Sequence, residues 1–311
     1  MFKRSVMLVI AGIVLISLGA AALFLPSPDS GKKARNRAQQ LAVIHVEGVI
    51  MGGRGQSGLL SEIGGIDAVI RQLHEARDDD SIKAIVIRIN SPGGSVSATQ
   101  ELGIEMKKVR LAGKPIIVSM GDVAASGGYW LAALADKVYA NPSTLTGSIG
   151  VYMPYSNWEE LYKKIGVHQE KIKSGVHKDI LAPERQMTVA ERAIIQTMVD
   201  DMYEQFVTVV AEGRNMDQAR VRQLADGRIY TGKQAKELGL VDELGNFYDA
   251  IDGAAQIAGI QGKPRIKEYG KLKPWDVLFG GEGKIGLEQI LFRQLKNDLP
   301  LTAPLAMPER W

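Results

Sequence analysis

The hydrophobic pattern of the chain begins with 21 consecutive uncharged residues, Ser5 to Leu25, nearly all of them apolar. A helix of about 20 apolar residues spans the hydrocarbon core of a bilayer. A cleaved secretory signal is the alternative, because Lys3 and Arg4 precede the run and small residues lie near its end. The apolar run continues beyond those small residues, further than the core of a secretory signal usually extends. The pattern therefore predicts a retained membrane anchor over residues 1–25.

Polar and basic residues with two prolines follow the anchor, and they predict a linker over residues 26–40. After the linker, short apolar runs of strand character alternate with stretches of helical spacing. The predicted strands are Leu41–Ile50, Ala84–Ile89, Pro115–Met120 and Lys137–Ala140. The predicted helices pass through Ile66–Leu73 and through the residues from Gly94 to about Leu111. This alternation predicts an α/β fold with a largely parallel sheet and crossover helices.

A long helix is predicted to begin near Thr188, because Thr188 and Glu191 form a capping box. Gly213 is its predicted end. Seven apolar residues at helical spacing give this helix one apolar face: Ile195, Met198, Val199, Met202, Phe206, Val209 and Val210. From about Gly262 the periodicity weakens. We therefore predict one domain over residues 41–261 and a tail, residues 262–311, to which the sequence assigns no role.

The composition excludes several kinds of chemistry. Cysteine is absent, which rules out disulfides, thiol nucleophiles and cysteine-ligated metals. The histidines form no HExxH motif, so we expect no metal-dependent mechanism; they are His45, His74, His168 and His177. The net charge is only +3 over 311 residues and the basic residues are scattered, so we expect no nucleic-acid partner.

The first candidate for chemistry is Ser126, in the run Val123-Ala-Ala-Ser126-Gly-Gly128 at the end of a predicted strand. Small neighbours allow a substrate backbone to approach, and the N-terminus of a following helix offers free N–H donors for a developing oxyanion. The alternative is an ordinary N-cap serine in a tight turn. The run is not a Gly-x-Ser-x-Gly elbow, because Ala124 replaces the first glycine.

A second turn of the same kind, Asn90-Ser-Pro-Gly-Gly94, follows the preceding predicted strand. Carboxyl ends of parallel strands lie at one edge of a sheet, so the two turns are expected to converge there. The pair of turns is a more specific signal than either turn alone.

A serine nucleophile also needs a base, and the adjacent His177 and Lys178 are both candidates. Histidine is the usual partner. A lysine amine has a reference pKa of about 10.4, which burial must lower by roughly 3 units before the amine can act as a base near neutral pH. The residues alone leave the choice open.

Motifs spread from the anchor to about Gly245 resemble those of the signal peptide peptidase A (SppA) family in its short bacterial form. They are Asn90-Ser-Pro-Gly-Gly94, Gly121-Asp-Val-Ala-Ala-Ser-Gly-Gly-Tyr129, Leu145-Thr-Gly-Ser-Ile-Gly-Val151, Lys173-Ser-Gly-Val-His-Lys-Asp179, and Arg228-Ile-Tyr-Thr-Gly-Lys-Gln-Ala235 with Gly239-Leu-Val-Asp242. The resemblance implies a membrane-tethered Ser-Lys protease on a ClpP/crotonase-like fold. The tail beyond Gly262 matches poorly, so nothing is carried over to it.

The resemblance also assigns roles. Ser126 resembles the family nucleophile and Lys178 its general base, while Ser148 matches a serine that hydrogen-bonds the lysine. The oxyanion donors correspond to backbone N–H groups of Gly93 or Gly94 and of Gly127. The implied substrates are remnant signal peptides left after secretion, the implied partners are the lipid bilayer and further copies in a homo-oligomer, and no metal or organic cofactor is implied.

Two other functions and the membrane topology stay open. A crotonase-type acyl-CoA enzyme shares the fold but needs acidic residues that Asn90–Val96 and Val123–Tyr129 lack. A catalytically inactive membrane-tethered scaffold is the other alternative. Lysines and arginines are more numerous after the anchor than before it, which favours a cytoplasmic domain. The likeness to an uncleaved secretory signal favours the opposite, a single-pass protein in the cell membrane with its domain on the extracytoplasmic side, and we adopt that prediction.

Overall fold

A computed structural model of the chain describes residues 39–53, 56–57, 62–63 and 65–270. The predicted anchor at residues 1–25, nearly all of the linker at 26–40 and the tail after residue 270 lie outside the described residues. Within the described residues, no helix combines the length and the apolar character needed to cross a bilayer.

The described elements follow the predicted alternation of strands and helices. The strands are β1 (Gln40–Glu47), β2 (Gln56–Ser57), β3 (Glu62–Ile63), β4 (Ile82–Ser91), β5 (Ile116–Ala125), β6 (Lys137–Ala140), β7 (Leu145–Gly147), β8 (Ile229–Thr231), β9 (Glu243–Leu244) and β10 (Arg265–Glu268). The helices are α1 (Ile66–Asp78), α2 (Val96–Leu111), α3 (Gly127–Ala133), α4 (Glu159–Lys164), α5 (Val189–Arg214), α6 (Gln218–Leu224), α7 (Gly232–Glu237) and α8 (Phe247–Ile257).

The main sheet has the strand order β10-β1-β4-β5-β6-β9, and β7 and β8 extend it beside the second half of β5. All described pairings in this sheet are parallel except that between β7 and β8. The predicted α/β fold with a largely parallel sheet is therefore confirmed. The sheet continues beyond the predicted domain end at residue 261, since β10 pairs with β1; the domain boundaries themselves stay predictions.

Both faces of the sheet are buried, which explains the near-continuous apolar runs of its central strands. One face packs on α1, α2, α3 and α5 through side chains such as Ile85, Leu102 and Val210. The other face carries a smaller core in which α8 covers β1 and β4 through Val43, Val86 and Ala254.

Strand β5 changes partner along its length. Its first half pairs with β6, and its last residues, Val123–Ala125, pair with β7. Its pairing with β4 also shifts register between Ile89 and Ser91. The chain therefore leaves the regular sheet just before Ser126, with β4 on one side and β7 on the other.

Helix α5 differs from the prediction at its apolar face and at its end. Phe206 and Val210 are buried, but Met198, on the same predicted face, is 49% exposed, because no described element covers the first half of the helix. The predicted stop at Gly213 is also wrong: the helix ends at Arg214, and Asn215 takes the left-handed conformation. Gly213 instead allows α5 to lie against α3.

Replacing Gly213 tests this helix contact. A Cβ atom at residue 213 would lie 1.9 Å from the carbonyl oxygen of Ala133 in α3. Gly213→Ala should therefore lower the free energy of unfolding by about 1–3 kcal/mol, despite the better helix propensity of alanine. The measurement is urea unfolding followed by circular dichroism.

Gly103→Ala in α2 is the matched control for this substitution. Its Cβ would come close only to the end of a flexible side chain, Cδ1 of Leu134 at 2.8 Å, and the next neighbours, Nε1 of Trp130 and Cδ2 of Leu131, lie at ordinary contact distances of 3.5 and 3.9 Å. The control should unfold close to the wild-type midpoint. Equal losses of stability in the two variants would show that the contact between α5 and α3 is not close.

Candidate active site

Ser126 lies between β5 and α3 in a strained backbone conformation. Its φ of 52° and ψ of −121° are unusual for a residue with a side chain. Its N–H donates to the carbonyl of Gly147 at 2.8 Å, and its carbonyl accepts from Trp130 N–H at 2.9 Å. Its hydroxyl makes no capping hydrogen bond to α3. Ser126 therefore occupies the N-cap position of α3 but does not make the side-chain cap of an ordinary N-cap serine. The side chain is half-buried, and its hydroxyl has no hydrogen-bond partner among the described residues.

The Gly93–Gly94 turn lies directly against the Ser126 turn. A Cβ atom on Gly93 would lie 2.7 Å from the amide nitrogen of Gly127 and 2.8 Å from Cβ of Ser126. Both Gly93 and Gly94 have positive φ, at 98° and 159°. Only glycine permits this backbone and this approach together. The structure thus brings the two turns together at the carboxyl edge of the sheet.

The backbone N–H groups of the two turns differ in their partners. Gly93 N–H donates to Oγ of Ser91 at 3.1 Å. The N–H groups of Gly94 and Gly127 have no acceptor among the residues the structure describes. They are close neighbours, since a Cβ atom on Gly127 would lie 3.5 Å from the nitrogen of Gly94. The turns therefore present two unoccupied donors beside Ser126.

Ser148 also lies near Ser126. It follows Gly147, whose carbonyl accepts the Ser126 N–H, and its own N–H donates to the carbonyl of Arg228 at 2.8 Å. Its φ of 51° is positive, as is that of Ser126. The backbone pairing of β7 with β5 and β8 thus fixes Ser148 beside the serine turn.

Lys178 lies in an irregular segment between α4 and α5, residues 171–187, which we name the lysine loop. Its backbone N–H donates to the carbonyl of Gly175 at 3.1 Å, and the side chain is exposed. Within the described part of the chain, the Lys178 amine has no hydrogen-bond or ion-pair partner, so it makes no hydrogen bond to Ser126 or Ser148. The neighbouring His177 is also exposed, with Nδ1 3.9 Å from Oε1 of Glu191.

An ion cluster that the sequence did not predict joins the lysine loop to α5. The guanidinium of Arg185 contacts the carboxylates of Asp179 and Glu191, at 2.8 and 2.6 Å from Nη2. The hydrogen bonds from Arg185 lower the pKa of Glu191 to about 2 and hold the pKa of Asp179 well below its usual range. No periodicity could have revealed this cluster, because its members are separated by six residues in a segment without regular structure. The only signal was the capping box at Thr188 and Glu191, which is confirmed.

Polar groups elsewhere among the described residues offer no obvious metal centre. Within residues 39–53 and 65–270 and the short strands between them, no group of three histidine, aspartate or glutamate side chains is placed to hold an ion.

Comparison with known proteins assigns the chain to one family. Residues 108–261 match the model of peptidase family S49. The chain is 37% identical over 236 residues to Protease 4 of Haemophilus influenzae, and 40% identical over 215 residues to the Enterococcus faecium protein named "Putative signal peptide peptidase SppA". These alignments cover 75% and 69% of this chain, but only 37% and 62% of the relatives. A Methanocaldococcus jannaschii protein named as a "Putative protease" is 34% identical over 302 residues, which is 94% of this chain and 96% of that protein. The chain therefore belongs to the S49 peptidase family and, within it, to the SppA group.

Proposed function

We propose that this chain is a serine endopeptidase in which Ser126 is the nucleophile. The observation that carries the proposal is the uncommitted hydroxyl of Ser126, held in a strained turn beside the free N–H groups of Gly94 and Gly127. Membership of a peptidase family supports the same reaction. In this proposal the serine attacks a peptide carbonyl, and the two N–H groups bind the oxyanion that forms.

Gly94 is the donor we propose from the first turn, in preference to Gly93. The Gly93 N–H donates to Oγ of Ser91, so its role is to hold the turn in shape. Gly127 supplies the second donor from the first turn of α3, where N–H groups have no acceptor within the helix. An oxyanion between the two would accept both hydrogen bonds.

Lys178 is the general base in this proposal. Its amine takes the proton of the Ser126 hydroxyl as the ester forms, and returns it to the leaving amine of the substrate. It then takes a proton from the water that hydrolyses the ester, and returns that proton to Oγ of Ser126 as the acid product leaves. Ser148, fixed beside Ser126 by its backbone, would hold the amine by a hydrogen bond.

The exposure of Lys178 supports the further proposal that the active form is a homo-oligomer. A lysine amine becomes neutral near pH 7 only when it is buried, and no described residue of the same chain buries this one. The surrounding segment also exposes large apolar side chains, including Tyr152 at 86%, Ile172 at 104% and Val189 at 87%. A second copy packed on this segment would cover both features.

Peptides with apolar side chains are the proposed substrates, and remnant signal peptides are the class we favour. Exposed apolar side chains lie near the serine turn: Leu145 on β7, Ile229 on β8, and Met51 beside the residue that pairs with Gly94. The name of the Enterococcus faecium relative points to the same substrates. We further propose that residues 1–25 anchor the chain in the cell membrane with the catalytic domain on the extracytoplasmic side, where such peptides are released.

Substituting the proposed dyad tests the function directly. Ser126→Ala and Lys178→Ala should each lower kcat for an apolar signal-peptide substrate by roughly 10⁴-fold or more, with the fold retained. His177→Ala is the matched control and should keep most of the activity.

Activity of the wild type should rise with pH as the lysine base loses its proton. A fluorophosphonate should label the wild type and not Ser126→Ala, which separates a serine peptidase from an acyl-CoA enzyme or an inactive scaffold. An inactive His177→Ala together with an active Lys178→Ala would reverse the assignment of the base.

Substitution of Ser148 should lower kcat in the same assay by less than substitution of Ser126. Because its proposed role is to orient the base, Ser148→Ala should lower kcat by about 10- to 100-fold and leave fluorophosphonate labelling of Ser126 detectable. Ser148→Thr keeps a hydroxyl and is the matched comparison. A loss as large as that of Ser126→Ala would show that Ser148 takes part in the chemistry itself.

Dilution tests the proposed assembly. If a second copy buries Lys178, the specific activity should fall as the protein is diluted below the dissociation constant of the oligomer. Sedimentation velocity on the same samples gives the fraction assembled, and activity should follow that fraction. Constant specific activity in samples that sediment as monomers would contradict the need for a second copy.

A further inference from the structure

Among the residues that the structure describes, every charged side chain of the lysine loop except Lys178 has a partner of opposite charge. Lys171 pairs with Glu184, and Lys173 with Asp179 at 2.6 Å. Arg185 pairs with Asp179 and with Glu191 of α5. Three carboxylates thus face three permanent cations, and Lys178 is the extra cation in a cluster that is already balanced.

Arg185 is the centre of this balance, because it binds both carboxylates through two nitrogens each. Nε and Nη2 donate to the two oxygens of Asp179 at 3.0 and 2.8 Å. Nη1 and Nη2 donate to the two oxygens of Glu191 at 2.8 and 2.6 Å. The side chains of Asp179 and Glu191 are only 10% and 2% exposed, so water does little to screen them. Bidentate pairing is the strongest form of this interaction.

Asp179 is the immediate neighbour of Lys178, and its charge therefore matters to the proposed base. A carboxylate close to an amine favours the protonated, inactive form of that amine. Arg185 and Lys173 both bind the carboxylate of Asp179, so its negative charge is already neutralised. Asp179 is therefore not an unpaired counter-charge for Lys178, its neighbour in the sequence.

The other groups packed against the loop do not change this balance. From the segment before α4, Tyr155 donates its hydroxyl to the carbonyl of Arg185. Glu159 of α4 accepts from Gln186 N–H and pairs with Lys163 at 3.0 Å. From α5, Glu191 also faces His177, which adds a positive charge only when protonated. Each carboxylate named here is therefore matched by a cation of its own.

We propose that Arg185 is a positioning residue for the general base: it holds Asp179 and Glu191 so that, in the assembled enzyme, the charge of Asp179 does not stabilise the protonated amine of Lys178. This inference rests on the proposed function, since it takes Lys178 to be the base. It assigns a role in the reaction to a side chain that does not itself touch the reacting atoms.

The pH dependence of kcat, measured on the full-length protein with an apolar signal-peptide substrate, tests the inference. In Arg185→Met the negative charge of Asp179 is no longer neutralised by the guanidinium. The rising limb of the pH profile of kcat should therefore move to higher pH by about one unit, which at a given pH on that limb is a tenfold lower kcat. Asp179→Asn leaves Arg185 and Lys173 unbalanced beside Lys178, so the limb should move to lower pH. Loss of folding would lower kcat in both variants and would not move the two limbs in opposite directions.

Two further variants separate charge from structure. Arg185→Lys keeps the positive charge and should hold the limb close to that of the wild type, even if kcat falls. Arg222→Met is the matched control. Arg222 of α6 pairs with Glu204, which lies in α5 as Glu191 does, but this pair is on an exposed surface away from the lysine loop. It should leave both the limb and kcat unchanged.

The outcomes distinguish the inference from the proposed function. If Lys178→Ala remains fully active, the proposed function is wrong and the inference is overturned with it. If Lys178→Ala is inactive but Arg185→Met and Asp179→Asn leave the limb in place, or move it in the same direction, only the inference is overturned. Opposite shifts, with Arg222→Met unchanged, support it.

Discussion

The close approach of two backbone turns is the constraint on which the rest of the site depends. Gly93 lies so near Ser126 and Gly127 that a single methyl group on it would fall within 3 Å of both. Gly94 is equally restricted, because a Cβ atom there would lie 2.1 Å from the carbonyl oxygen of Ile50. With no side chains between them, the two turns can present backbone donors to the same point in space.

Parallel strand pairing makes this approach possible. β4 and β5 lie side by side and end at the same edge, so the turns that follow them must meet. The core on both faces of the sheet supplies the stability that offsets the strained backbone at Ser126, a cost of order 1–3 kcal/mol. β7 adds the third support, since its last residue accepts the Ser126 N–H. The strain is thus held by three neighbouring segments.

The sequence predicted the parts of the molecule that follow local rules. Apolar runs identified the strands of the sheet, paired glycines identified both turns, and the capping box at Thr188 located the start of α5. What it missed depends on long-range or geometric facts. The periodicity of α5 could not show that Met198 has no covering element, because pattern reveals an apolar face and not its partner. Motif spacing could not show which of Gly93 and Gly94 has a free N–H, since that depends on where Oγ of Ser91 points.

The uneven distribution of buried side chains divides the chain into regions of different local stability. Between residues 151 and 205 only Ala182 and Glu191 are buried, whereas most residues of β4 and β5 are. Amide hydrogens in such a lightly packed region exchange through local opening, at a free energy well below that of global unfolding. The proposed base therefore belongs to a region that can open and close while the nucleophile stays fixed in the sheet. In the proposed reaction, a local equilibrium would then act on the base, and a change of conditions too mild to unfold the domain could shift that equilibrium.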